Sequence, residues 1–288
     1  MSSHHHDKTH IDWDEMSPLL ERGAELQGPV HRQAVAWLGE QVPAAGVRRI
    51  IDIGSGPGVM SLVLAEAFPY AEVVAVDATV PLLELARARA ERAGLGDRVR
   101  TLHAELPDDF DALGEADLIW AGSSLHHIGD QRAALAGFSR LLRPGGLLAV
   151  VEGGLPARHL PRDIGIGRPG LEARLDAASA EWFLAMRAEL PGAKDEIEDW
   201  RALMAAVGLA PSGTRSFLLD IPAPVPQTVR EQLASAFAWQ RKVLDGLLAP
   251  DDIAVVDRLL DPHDEQGLAQ RPDVYLLTAR TVHTARCG

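Results

Sequence analysis

Between residues 48 and 151 the apolar residues fall into short, mostly β-branched runs, and each run is followed by a stretch with apolar positions at helical spacing. Arg48 to Ile53 predicts a first strand and Met60 to Phe68 a helix. Ala71 to Val76 predicts a second strand. Leu82, Leu83, Leu85 and Ala86 give a helix from about Val80 to Ala93 its packing face, with Gly94 as its C-terminal stop. Arg98 to Leu102 and Asp117 to Ala121 predict a third and a fourth strand. Arg132 to Leu142 predicts a helix ended by Pro144, Gly145 and Gly146, and Leu147 to Val151 a fifth strand, apolar throughout as expected of a strand covered on both faces. Strands alternating with helices predict an α/β fold with a doubly wound parallel sheet. Right-handed crossovers then put every helix start at the carboxyl edge, where such sheets bind ligands.

The flanks read differently. The first 45 residues form two helical clusters, Leu19, Leu20, Ala24 and Leu26, then Val30, Ala34, Val35 and Leu38, broken by Gly28 and Pro29. Beyond Glu152, residues 153–170 are rich in Gly and Pro and read as a loop. Residues 172–190, 195–207, 228–248 and 251–260 read as helices, Arg215 to Leu219 as a sixth strand, and Val274 to Val282 as a last one. Pro222, Pro224 and Pro226 make an extended connection.

Composition narrows the function classes. The chain has 288 residues, 47% hydrophobic and 24% charged, ordinary for a soluble globular protein. A net charge of −13 with no Lys/Arg run repels phosphate backbones, so nucleic acid is not an expected partner. No stretch reaches the roughly 20 apolar residues of a membrane span. The single cysteine, Cys287, permits no internal disulfide and fits a reducing, cytoplasmic setting. His4, His5 and His6 read as a weak metal-binding run or as a tag, and no metal site is assigned to them.

The run Ile51-Asp52-Ile53-Gly54-Ser55-Gly56-Pro57-Gly58 follows the first strand and opens a helix. Glycines there permit a tight turn and let a ligand approach the backbone, and the helix start offers unpaired N–H groups. The spacing is Gly-x-Gly-x-Gly. A dinucleotide fingerprint places its third glycine one residue later, where Val59 stands, and no Gly-Lys-Ser/Thr of a phosphate loop is present. Asp77 closes the second strand, where a carboxylate can accept both hydroxyls of a ribose; a helix N-cap is the other reading.

In this order the motifs resemble the class I methyltransferases that use S-adenosylmethionine, in which Asp-x-Gly-x-Gly-x-Gly ends the first strand and an acidic residue the second. Leu102-His103-Ala104-Glu105-Leu106-Pro107 is similar to the family's turn after the third strand. The run from Asp117 through Gly122, Ser123 and Ser124 to Ile128 is similar to its segment after the fourth, and Leu142-Arg143-Pro144-Gly145-Gly146-Leu147-Leu148 to its turn into the fifth. The resemblance covers roughly residues 45–152. It implies a seven-stranded, mostly parallel sheet in the order 3-2-1-4-5-7-6 with the last strand antiparallel, S-adenosyl-L-methionine as cofactor and S-adenosyl-L-homocysteine as product. It also implies a cofactor site of Asp52, Gly54, Ser55, Gly56, Gly58, Asp77, Ala78, Ala104, Glu105, Leu106, Gly122 and Ser123. Glu105 stands where the family often has Asp, which weakens an adenine contact by that side chain.

Methyl transfer is an in-line displacement at a carbon that the sulfonium already activates. The protein must hold nucleophile and methyl in near-attack geometry and, for an oxygen or nitrogen acceptor, remove a proton. An imidazole ordinarily titrates near neutrality, so His126 and His127 are the candidate bases, with a slight preference for His127. Glu152, ending the fifth strand, would orient a histidine, accept a proton or bind a substrate amine. Trp13 and Met16 would close over the substrate, although packing explains them equally well, and Trp182, Phe183 and Met186 are read chiefly as core. Metal-assisted members gather carboxylates where Gly122, Ser123 and Ser124 stand, so no metal is expected.

The resulting expectation is methyl transfer to O or N, with C also open, of a small-molecule acceptor in secondary metabolism. The alternative is a non-catalytic, cofactor-binding regulatory module of the same fold. Residues 1–45 would then close over the site, 46–152 bind cofactor, 153–270 form a helical cap shaping the substrate pocket, and 271–288 supply the last strand and tail. Monomer and homodimer both remain open.

Overall fold

The computed structural model describes the chain from Trp13 onward, and its side chains from Leu19. Helices α1 (Trp13–Leu26) and α2 (Gly28–Gln41) precede the alternation β1 (Arg49–Ile53), α3 (Val59–Ala67), β2 (Glu72–Asp77), α4 (Val80–Arg92), β3 (Val99–His103), a short α5 (Phe110–Leu113), β4 (Ala116–Gly122), α6 (Gln131–Leu141) and β5 (Leu142–Arg158). Then follow α7 (Leu171–Ala188), α8 (Trp200–Ala206), β6 (Ala210–Ile221), α9 (Gln227–Val243), α10 (Pro250–Leu260) and β7 (Leu276–Arg286). The sheet order is β3-β2-β1-β4-β5-β7-β6, as the resemblance implies.

The central strands are parallel and in tight register, with Ile51 opposite Val74 on β2 and Ile119 on β4. These side chains join Leu148 and Val150 of β5 and Leu135 and Phe138 of α6 in one buried core. Burial on both faces is what their continuous apolar runs encode. α4 ends in a Schellman motif: Gly94 takes φ 69°, its N–H bonds Glu91 O, and the Leu95 N–H reaches back to Ala90 O.

β7 runs antiparallel to β5. Cys287 near its end exchanges hydrogen bonds with Gly145 and Gly146 near the start of β5, whereas Thr278 near its beginning bonds Leu155. The Pro144–Gly146 stretch, expected as a turn, is a bulge inside β5, marked by a register shift between Ala116 and Leu118 on β4. Residues beyond 152, expected as a loop, instead extend β5 to Arg158. A Cβ on Gly154 would stand 2.2 Å from the Ala279 carbonyl oxygen, so glycine there admits the neighbouring strand and does not mark a loop.

The residues form two compact units. One holds Leu20–Leu155, Leu190–Leu219 and Thr278–Gly288 and carries the central sheet. The segment Leu190–Leu219, read from sequence within the cap, clusters here. In the other unit, built from Pro156–Glu189, Asp220–Leu277 and the chain up to Leu19, buried Asp252 accepts two 2.8 Å hydrogen bonds from Arg174, tying α10 to α7. Trp182, Phe183 and Met186 are half-buried and not core, because their helix α7 keeps only Leu171, Leu175 and Ala178 buried.

Candidate active site

After β1 the chain turns through Gly54, Gly56 and Gly58 at φ 64°, 53° and 76°, a region that disfavours side chains. Two of these glycines are also demanded by packing. A Cβ on Gly54 would sit 2.6 Å from the Cβ of Ser124, and one on Gly58 2.6 Å from that of Ala86. Gly56 differs, since its Cβ would meet nothing within 4 Å. The Ser55 N–H donates to Val76 O at 3.0 Å, joining the turn to β2. At the end of β2, Asp77 accepts the Gly56 N–H at 2.9 Å through Oδ2 and the Thr79 N–H at 2.8 Å through Oδ1. Asp77 is not an N-cap, because Thr79 holds that position in α4. Its carboxylate keeps lone pairs for further donors.

Asp52, 2% exposed, accepts a hydrogen bond from the Ser61 hydroxyl on the first turn of α3. Burial pushes its carboxyl up to about 7; the Asp77 charge adds to the rise and the Ser61 bond opposes it. The turn after β3 lies beside the turn after β2. The Ala104 N–H donates to Asp77 O at 3.2 Å, and His103 Nε2 is 3.1 Å from Ala78 O. Asp109 accepts the Glu105 N–H at 2.8 Å and holds that turn in shape. Ala78 and Glu105 are exposed, Leu106 is half-buried and Ala104 buried.

β4 ends at Gly122, opposite Val151 of β5. Ser123 then adopts φ 51°, rare outside glycine, with its N–H on Val151 O at 2.9 Å. A 3₁₀ turn, Leu125–His127, follows. His126 Nδ1 lies 3.0 Å from Glu152 Oε2, and Oε1 accepts the Leu125 N–H at 3.0 Å. Glu152 is 9% exposed, His126 half-buried and His127 exposed, with the two imidazole centroids 4.2 Å apart. The turn is braced from below. A Cβ on Gly129 would stand 2.2 Å from Pro191 O, Lys194 pairs with Asp130 at 2.6 Å, and Arg132 with Glu196 at 2.8 Å.

The expected residues of β1, β2, β4, β5 and the turn after β3 therefore meet at the carboxyl edge of one unit. Trp13 and Met16 belong to α1, and their side chains lie outside the described residues, as do His4, His5 and His6. Sequence reasoning missed Ser61 and Asp109. The first is legible as a hydroxyl one helical turn beyond the glycine run, the second as a short Asp-rich run, Asp108-Asp109, next to the turn it closes. The open space in front of Gly56, the exposed Ala78 and Ser123, and the spare acceptors of Asp77 fit a nucleoside lying across the strand ends.

Residues 50–146 match a methyltransferase-domain family. The chain is 30% identical over 259 residues to trans-aconitate 2-methyltransferase of Methylobacterium nodulans, covering 83% of this chain and 95% of that protein. It is 36% identical over 145 residues to demethylmenaquinone methyltransferase of Thermus thermophilus, covering 49% of this chain and 60% of that protein. Among the first relatives matched, the aligned stretch spans between 28% and 60% of their own length. The fold is shared with the YcgJ protein of Bacillus subtilis at a TM-score of 0.50 and 19% identity, over 89% of this chain and 99% of that one.

Proposed function

The chain belongs to the class I S-adenosylmethionine-dependent methyltransferases, and on that premise we propose that it transfers a methyl group to an oxygen or nitrogen atom of a small molecule in secondary metabolism. The observation that carries the cofactor assignment is the Asp77 carboxylate bonded to the Gly56 N–H at 2.9 Å, which joins the ribose-binding candidate to the glycine turn. The names of the relatives matched, demethylmenaquinone methyltransferase and trans-aconitate 2-methyltransferase, support a small acceptor.

When bound, the cofactor supplies a methyl group already activated by a sulfonium. The chain's own work is then placement and proton removal. Asp77 would accept the ribose hydroxyls, the backbone of Gly54 to Gly58 would hold the cofactor, and Ala104, Glu105 and Leu106 would border the adenine. Ala78, Gly122 and Ser123 frame the remainder, and buried Asp52 supports the turn from behind through Ser61. His126 is the base in this reading: Glu152 orients the ring through Nδ1, and once the ring takes the acceptor's proton the same carboxylate stabilises the imidazolium. His127, exposed beside it, contacts the acceptor.

Thermal unfolding with S-adenosylhomocysteine, S-adenosylmethionine and NADH in parallel tests the reading. A ligand at 100 times its dissociation constant stabilises by about 2.7 kcal/mol. A shift with the two adenosyl compounds alone is expected. A shift with NADH alone, or with none of them, would overturn it.

A further inference from the structure

Methyl transfer does not require a cation beside Glu152, yet a half-buried one is there. Arg280 lies on β7 against Gly154 of β5, close enough that a Cβ on Gly154 would come within 3.1 Å of the Arg280 Cα. Burial lowers the pKa of its guanidinium, and the charge of Glu152 acts against that fall. The two do not form an ion pair. Glu152 instead commits its oxygens to Leu125 and His126. Among the described residues, the side chain of Arg280 makes one hydrogen bond, from Nε to Gln27 Oε1 at 3.1 Å. A guanidinium has five N–H donors in a planar fork. By contrast, buried Arg271 is matched fork to fork by the Asp273 carboxylate.

His31 on α2 joins this cluster. Its pKa is pushed down to about 4, first by burial and then by the charges of Arg280 and Arg32, so the ring is neutral. Its Nδ1 is buried with no hydrogen-bond partner among the described residues. A half-buried guanidinium with most of its donors unused and an unsatisfied imidazole nitrogen each carry a cost that a ligand would relieve.

We propose that Arg280, with Gln27 and His31, forms an anion subsite that receives a carboxylate of the methyl acceptor, while His126 and Glu152 serve the atom to be methylated. The inference rests on the methyltransferase reading. A carboxylate fits better than a phosphate: one guanidinium matches a planar monoanion fork to fork, and the negative charge of Glu152 disfavours a dianion.

The test is calorimetric binding of matched acid and amide pairs, benzoate with benzamide and butyrate with butyramide, to the full chain saturated with S-adenosylhomocysteine. At least one acid should bind about tenfold or more tightly than its amide. Arg280→Gln should abolish that preference at unchanged S-adenosylhomocysteine affinity. Acid and amide binding alike in both pairs, or a preference that survives in R280Q, would overturn the subsite. Wild-type protein that fails to bind S-adenosylhomocysteine would instead overturn the methyltransferase reading. Should R280Q not fold, phenylglyoxal labelling of wild-type Arg280, read by mass spectrometry, decides. Protection by benzoate and not by benzamide is expected, and equal labelling under both refutes the subsite.

Discussion

Glu152 stands 3.0 Å from His126 Nδ1 through Oε2 and 3.0 Å from the Leu125 N–H through Oε1. One buried carboxylate thus fixes both the ring and the backbone of the turn that carries it. Asp77 does the same on the other side of β1, joining the Gly56 and Thr79 N–H groups. In both places a carboxylate at a strand end imposes geometry on a neighbouring loop, and so preorganises a site that would otherwise rest on loop conformation.

Removing the orienting pair should act on turnover and not on cofactor binding. His126→Asn is expected to lower kcat by about 10²-fold or more, the range of general-base catalysis, with S-adenosylhomocysteine affinity unchanged. His127→Asn should lower it less than about tenfold. Glu152→Gln keeps an acceptor for the Leu125 N–H but loses the charge opposite the imidazolium, and should fall between them. Steady-state kinetics with the first acceptor found in a substrate screen checks the ranking. A large loss in H127N with none in H126N would move the base to His127.

Asp77→Ala should weaken S-adenosylhomocysteine binding by tenfold or more, the value of about one charge-assisted hydrogen bond. Asp77→Asn, which keeps one acceptor oxygen, should lose less. Calorimetry gives both values, and unchanged affinity in D77A would remove the ribose assignment.

The three glycines of the turn should separate by what each faces. Gly58→Ala forces a methyl against Ala86 and should cost about 1–3 kcal/mol of stability, read by urea denaturation. Gly56→Ala carries only the left-handed strain of about 1–2 kcal/mol, but its methyl enters the open space before the strand ends. Its loss in S-adenosylhomocysteine affinity should therefore exceed that of any other change in the turn. Full affinity in G56A would exclude a ligand from that space.

The apolar runs made the central strands legible, because Ile50 to Ile53 and Leu147 to Val151 are buried on both faces, and Gly94 marked the end of α4, whereas the strand order came from the family resemblance of the motifs. The glycine pair at 153–154 misled, since a glycine that admits a neighbouring strand and one that opens a loop look alike in sequence. The choice between His126 and His127 was also out of reach. Adjacent residues share every spacing argument, and only the position of Glu152 on the next strand separates them. Arg280 carried no signal at all, because a single arginine in an apolar strand acquires meaning only from Gln27, His31 and Glu152, which the fold gathers from distant parts of the chain.

Asp52 gives a prediction in pH. Its carboxyl titrates at about 7 in the folded chain, raised first by burial and then by Asp77, against 3.8 for an ordinary aspartate. Between those values the unfolded chain has lost a proton that the folded chain keeps, so the unfolded state binds fewer protons and rising pH favours unfolding. Below the lower value both states are protonated, and above the upper one both are ionised, so the contribution is flat outside the window. Asp52→Asn keeps an acceptor for the Ser61 hydroxyl but cannot ionise. Its stability relative to wild type should rise as pH is taken from 4 to 7, by at most about 4 kcal/mol, and level off above. Urea denaturation of both proteins at pH 5 and pH 8 reads the difference, and an equal gap at the two pH values would mean that Asp52 is already ionised in the folded protein at pH 5.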